Sequence, residues 1–222
     1  MIVANNVGLF YPDGTEALKT FDFHIEKGEL VFITGPSGSG KTSLLKLITG
    51  MEFPTQGMFR VLGENIEPDN SDKIQRIRRM MGPVFQEFRL LEGRTVLENV
   101  MLGMRFLDLP LHVIKNNAME SIERVGLGHK LKHTVDRLSW GECQRVSIAR
   151  AVARKPVLII ADEPTGNLDK ENAINILDLL TSFTDTDTTV IITTHATHLI
   201  EDKQSGVFIK MNAGEMLIER RI

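Results

Sequence analysis

The run Gly35-Pro36-Ser37-Gly38-Ser39-Gly40-Lys41-Thr42 decides the reading of this 222-residue chain. It has the spacing G-x-x-x-x-G-K-[ST]. Leu30 to Thr34, just before it, is a short apolar run with the character of a buried strand. Leu44, Leu47, Ile48 and Met51, just after it, fall at helical spacing. Strand, glycine-rich loop and helix together form a phosphate cradle. Glycines are needed there because the backbone must fold tightly and turn its N–H groups inward on phosphate oxygens. The helix beginning near Lys41 adds its positive end. Gly35, Pro36, Ser37, Gly38, Ser39, Gly40, Lys41, Thr42 and Ser43 are therefore the candidate cradle. In this motif Lys41 reaches the β- and γ-phosphates and Thr42 ligates Mg²⁺. The motif implies a nucleoside triphosphate and leaves the reaction open.

Working outward, Ile2 to Tyr11 reads as a strand, followed by a Pro12-Asp13-Gly14 turn. Phe21, Phe23 and Ile25 alternate with polar residues, and Phe59 to Leu62 suggests another strand. From Ser71 to Gly126 the pattern is mostly helical: Ser71–Met81, Thr95–Leu107 and Leu111–Val125. Ser139 with Glu142 is a capping box that starts a helix running to Ala153. Val157–Ala161 and Thr189–Thr193 are strands around a helix from Glu171 to Phe183, and 206–218 reads as a hairpin about Asn212-Ala213-Gly214. Alternating strands and helices imply an α/β fold with a mainly parallel sheet. The middle helices read as an inserted lobe, about residues 88–153 of a single domain, and the early and late strands as an antiparallel edge.

Apolar residues make up 42% and charged residues 25%, the balance of a globular protein rather than a disordered or collagen-like one. The net charge of −3 speaks against a general nucleic-acid binder. A lone cysteine, Cys143, excludes an internal disulfide framework. No apolar run approaches the roughly 20 residues that span a bilayer. The amino terminus has no secretory pattern. The expected location is cytoplasmic, with any membrane association made through a partner.

Val157-Leu158-Ile159-Ile160-Ala161-Asp162-Glu163 ends an apolar strand in two carboxylates. Strand carboxyl ends face the ligand crevice in a parallel sheet. Asp162 is placed to hold Mg²⁺, and Glu163 to orient or deprotonate the water that attacks the γ-phosphate. Leu138-Ser139-Trp140-Gly141-Glu142, then Gln144-Arg145 and Ala149-Arg150-Ala151, resembles the signature of ATP-binding cassette proteins. A helix N-terminus carrying Ser139 and the Gly141 N–H is itself an anion site. The resemblance departs at Trp140, where the family usually has glycine. It implies a P-loop NTPase core with an antiparallel β subdomain and an inserted helical subdomain. It also implies ATP hydrolysis, and a homodimer in which the phosphate loop of one copy and Ser139, Gly141 and Glu142 of the other grip one ATP.

Further residues match the family by position. Tyr11 resembles the aromatic that stacks on adenine, and Gln86 the Q-loop glutamine that senses Mg²⁺. Gly166-Asn167-Leu168-Asp169 resembles the D-loop that couples the two sites, and His195 the switch histidine on the γ-phosphate. The resemblance covers essentially the whole chain. The Asp162–Asp169 stretch resembles the branch containing FtsE, LolD and the ATPase part of MacB, and 85–100 is most similar to the FtsE group. That implies an integral membrane partner like FtsX and regulation of peptidoglycan hydrolysis. The alternative is lipoprotein release or efflux. Phe85, Phe88, Leu90, Leu91, Val96, Met101 and Met104 are either a partner-facing groove or core of the helical lobe. Lys73, Arg76, Arg78 and Arg79 are either a solvated helix face or a headgroup contact. No long heptad run separates Lys41 from Asp162, which disfavours a chromosome-maintenance cassette. One cassette per chain disfavours the translation type, and a small-molecule kinase has no use for the signature.

Overall fold

The computed structural model describes residues 1–221, which form ten strands and six α-helices. In chain order these are β1 (Ile2–Phe10), β2 (Glu16–Ile25), β3 (Leu30–Thr34), α1 (Lys41–Ile48), β4 (Gln56–Val61), β5 (Glu64–Asn65), α2 (Ser71–Arg79), β6 (Met81–Val84), α3 (Val96–Leu102), α4 (Leu111–Arg124), α5 (Trp140–Val152), β7 (Leu158–Asp162), α6 (Lys170–Thr181), β8 (Thr189–Thr194), β9 (Gly206–Asn212) and β10 (Glu215–Arg221). They gather into two compact units. One is Met1–Arg79 with the segment from Thr184 on; the other is Met80–Phe183.

In the first unit β2, β1, β4 and β5 make an antiparallel sheet. Ala4 faces Phe23 across one pair and Phe59 across the other, so the alternation noted at Phe21, Phe23 and Ile25 lands on a buried face. The Phe23 ring stacks on Phe21 at 5.4 Å and meets Phe59 edge-on at 6.2 Å, geometries aromatic pairs favour. The unit's other strands run in the order β10-β9-β3-β8. β3 is parallel to both neighbours, and Val31, Phe32 and Ile33 are fully buried, as a parallel strand covered on both faces requires. Leu44, Leu47 and Ile48 of α1 are also fully buried, which fixes where the helix start, and hence the phosphate loop, can lie. The late strands differ from expectation: β9 pairs in parallel with β3, and only β10 returns antiparallel. Ala213 and Gly214 both take positive φ (45° and 80°), the two-residue hairpin turn whose twist matches its strands.

In the second unit β6 and β7 pair in parallel, Met81 opposite Leu158 and Val84 opposite Ala161. β6 overturns the expectation of a helix through Met81: α2 stops at Arg79, and Gly82-Pro83 cannot continue it. A Cβ on Gly82 would stand 2.8 Å from the Ala151 carbonyl, so a glycine is needed for β6 to lie against α5. α3, α4 and α5 pack on one another through Val96, Val100, Ala118, Ile122 and Val146, all fully buried. Among the described residues no helix is long and apolar enough to cross a membrane.

Candidate functional site

The phosphate loop belongs to the first unit. Its backbone is one that side chains could not follow. Gly35 has φ +152°, and a Cβ there would run into the Met211 carbonyl and lie 2.6 Å from Ser39 Oγ. Gly40 has φ +103°, and a Cβ there would stand 2.7 Å from the Ala17 carbonyl. The Ser39 N–H donates to Pro36 O (3.2 Å), closing the turn. The buried Ser39 hydroxyl has no hydrogen-bond partner, an acceptor-seeking group inside the loop. Lys41, only 8% exposed, donates through Nζ to Gly35 O (2.8 Å) and Pro36 O (3.1 Å).

α1 starts without a side-chain cap and without an acid in its first turn. Three other helices cap themselves with Thr95, Ser139 and Asp169. The uncapped start leaves helix N–H groups to be met by an anion. Thr42 is exposed there, and Ser43 Oγ lies 3.1 Å from the Tyr11 hydroxyl, which orients that ring; Lys46 Nζ sits 5.6 Å from the ring centroid. His195 is exposed immediately after β8, and its carbonyl accepts from the Thr197 N–H at 3.1 Å. These features fit a triphosphate.

The remaining candidates belong to the second unit. β7 delivers the half-buried Asp162, and the next residue, Glu163, has φ +45°, a left-handed conformation unusual for glutamate. Strain of that kind persists where surrounding structure enforces it and clusters at functional sites. The Gly166 N–H donates to Glu163 O (3.2 Å), and a Cβ on Gly166 would lie 3.0 Å from Gln86 Nε2. The fold thus brings Gln86 against the turn that follows Glu163. Asp162 presents a carboxylate, a hard oxygen donor of the kind that Mg²⁺ takes.

The Ser139 end of α5 is preassembled. Ser139 Oγ accepts from the Glu142 N–H (3.3 Å) while Glu142 Oε2 accepts from the Ser139 N–H (3.0 Å). Lys130 pairs with the other carboxylate oxygen. Lys130, then the Ser139 N–H, hold the Glu142 carboxyl below the usual range. Because Ser139 uses its oxygen as the cap, its O–H remains available as a donor. Ser139, Trp140, Gly141, Asp169 and Asn172 line one cavity of about 450 Å³. Asp169 caps α6, accepting from the Asn172 N–H at 2.9 Å, and that bond holds its carboxyl low. Burial raises the Cys143 thiol, whose Sγ lies 3.7 Å from the Val135 carbonyl.

Of the proposed groove residues, Val96 and Met104 are fully buried core, whereas Leu91 and Met101 line a cavity of about 390 Å³ between α3 and α4. The basic cluster is a solvent-exposed helix face whose side chains bond within their own unit: Lys73 and Arg76 pair with Glu64, and Arg78 donates to the Thr49 and Gly50 carbonyls. Sequence reading missed the individual parts played by Arg150, Asn99 and Lys130. A long cation between Ala149 and Ala151 on a buried helix was the available signal for the first.

The ABC transporter family profile matches residues 18–166. The chain belongs to the ABC transporter family. This ABC ATPase binds ATP and hydrolyses it to ADP and phosphate. It has the P-loop NTPase fold. It is 38% identical over 218 residues to the cell division ATP-binding protein FtsE of Mycobacterium tuberculosis, covering 98% of this chain and 94% of that one. It is 42% identical to FtsE of Haemophilus influenzae, covering 91% and 94%. The cassette MJ0796, solved as a dimer in a post-hydrolysis state with ADP and Pi, superposes with a TM-score of 0.85 at 33% identity, covering 99% and 98%. The cbiO1 protein of Clostridium perfringens, part of the ABC transporter complex cbiONQ, superposes with a TM-score of 0.88 at 27% identity, covering 99% and 88%.

Proposed function

We propose that this ABC ATPase is an FtsE-type subunit: two copies close on ATP and drive an FtsX-like membrane partner that controls peptidoglycan hydrolysis in cell division. The observation that carries the reading is the near-full-length similarity to proteins named FtsE. The dimeric MJ0796 relative supports closure of two copies. The whole chain acts as one nucleotide-binding domain, with about 88–153 as its helical subdomain. The subunit works at the inner face of the membrane through its partner.

In this reading the backbone of Gly35–Ser43 and the Lys41 ammonium hold the β- and γ-phosphates, and Tyr11 stacks on the adenine. Thr42, Asp162 and Gln86 would hold Mg²⁺, which neutralises charge on the phosphate oxygens when bound. Glu163 takes a proton from the attacking water, and His195 donates to the γ-phosphate. Ser139 O–H and Gly141 N–H of the second copy donate to the same phosphate. Glu142 keeps Ser139 oriented, and Asp169 links one site to the other. The groove between α3 and α4 suits a cytoplasmic helix of the partner. It is rimmed by Arg94 and Arg105, and Leu111, in its wall, is 72% exposed.

The test is to recover the tagged chain from membranes and identify its companion and the companion's outer client. A membrane protein acting on peptidoglycan hydrolases, with filamentous cells on depletion, is expected. A companion whose client is a lipoprotein or a drug would overturn the cell-division reading while leaving the ATPase intact.

A further inference from the structure

The stretch that carries Gln86 is held at both ends of the signature helix. Near the end of α5, Arg150 donates through Nη1 to Arg89 O and through Nη2 to Phe88 O, each at 2.6 Å. One guanidinium fork thus spans two successive carbonyls, a geometry a lysine ammonium cannot reproduce. Arg89 takes φ +49°, and its own guanidinium lies 3.9 Å over the Phe85 ring. At the first residue of α5, the Trp140 ring meets Phe88 edge-on with centroids 4.6 Å apart. Gly103, closing α3, makes room: a Cβ there would stand 2.7 Å from Arg150 Cγ. Asn99 then ties down Leu91, accepting its N–H at 2.7 Å and donating to its carbonyl at 3.1 Å. Residues 85–91 are therefore carried by the helices and do not hang as a free loop.

We propose that Arg150 and the Phe88–Trp140 pair are positioning residues that join the Gln86 loop to the Ser139 helix end as one rigid piece. Placement of Gln86 and alignment of Ser139 and Gly141 then occur in a single step. Trp140, the residue at which the signature departs from glycine, supplies the ring that grips Phe88. The inference rests on the reading of Gln86 and Ser139 as nucleotide contacts.

The experiment compares Phe88→Ala, Trp140→Ala, their double variant, Trp140→Phe, Arg150→Gln and Arg150→Lys. ATP turnover, affinity for a fluorescent ATP analogue and, in the variants that keep Trp140, intrinsic emission are measured below each variant's melting temperature. Turnover should fall about tenfold in each alanine variant and in both Arg150 variants, with affinity held within about twofold. The double variant should be no worse than the poorer single one, because both remove the same link. Trp140→Phe keeps a ring and should keep most turnover. Trp140 is the chain's single tryptophan, so its emission should shift in Arg150→Gln although the Arg150 bonds go to Phe88 and Arg89 carbonyls. Multiplying effects in the double variant, or unchanged emission in Arg150→Gln, would overturn the link. Gln86→Ala and Ser139→Ala run alongside. If either keeps full turnover, the site reading fails and the proposal with it. If both lose turnover while the Phe88, Trp140 and Arg150 variants keep it, the link alone is refuted.

Discussion

Replacing Gly35 by alanine tests the phosphate loop at the point where its geometry is tightest. The added methyl costs free energy in two ways. The backbone must hold φ +152°, which side chains rarely adopt, at about 1–3 kcal/mol. The Cβ also meets the Met211 carbonyl and stands 2.6 Å from Ser39 Oγ. A backbone oxygen of a paired strand cannot rotate aside, so relief requires movement of β9 or the loop, at about 1–3 kcal/mol. Gly38→Ala is the matched control, since Gly38 has φ +77° but nothing within 4 Å of an added Cβ. It carries only the left-handed penalty of about 1–2 kcal/mol. The two variants should therefore differ by about 2 kcal/mol, or roughly 4–8 °C in Tm for a chain of this size. Scanning calorimetry measures that gap, and titration with a fluorescent ATP analogue should show weaker binding for Gly35→Ala. Equal melting temperatures for the two variants would refute the close approach of Gly35 to β9.

Glu163→Gln should bind ATP as the wild type does and lose turnover by at least about 100-fold, since proton acceptance contributes about 10²–10⁴; single-turnover assays decide it. Gln86→Ala and His195→Ala should lower kcat far more than they weaken nucleotide affinity, read from steady-state rates beside equilibrium titration. Leu47→Ala removes a fully buried side chain behind the loop and should destabilise by about 2–5 kcal/mol in urea unfolding. Acid should loosen the Ser139 cap. Because Lys130 and the Ser139 N–H depress the Glu142 carboxyl, its contribution is complete above the unfolded value of 4.5 and is lost as pH falls through the lower folded value. Wild type should therefore lose part of its stability advantage over Glu142→Gln between neutral pH and pH about 3, checked by paired melts.

The strand, glycine loop and helix of 30–48 were legible because much of their geometry is local: φ > 0 at Gly38 and Gly40, a strand ending at Thr34, a helix opening at Lys41. The Ser139–Glu142 box was legible for the same reason, since its bonds span three residues. β6 was not. Met81-Gly82-Pro83-Val84 is too short for a period, and its strand character comes from β7, whose partner residue Leu158 lies far along the chain. The late hairpin was found, yet its partner was not: strand pattern says nothing about whether β9 lies beside β3 or at an outer edge. Apolar content near Gln86 likewise could not separate Met104, fully buried, from Leu91, 49% exposed. Leu91 precedes α3 and Met104 follows it, so no helical period orients either side chain.

The two helix starts that face phosphate in the proposed reading are prepared in opposite ways. α1 has no side-chain cap and no first-turn acid, and the Lys41 charge rests on carbonyls of its own loop. In the proposed reading a triphosphate brings anionic oxygens to the Lys41 ammonium and to the uncapped N–H groups, and bonds charged on both sides are the strong ones. α5 already satisfies the Ser139 and Glu142 N–H groups through its capping box. What it offers is a hydroxyl proton and the Gly141 N–H, held in place by a carboxylate that Lys130 keeps ionised. A helix end whose first turn already carries a carboxylate binds phosphate weakly on its own and adds little until the phosphate is presented by another surface. In the proposed reading that ordering, capture on the loop first and contact at the signature second, makes the second contact depend on the first. It also lets the second contact be released when the γ-phosphate leaves.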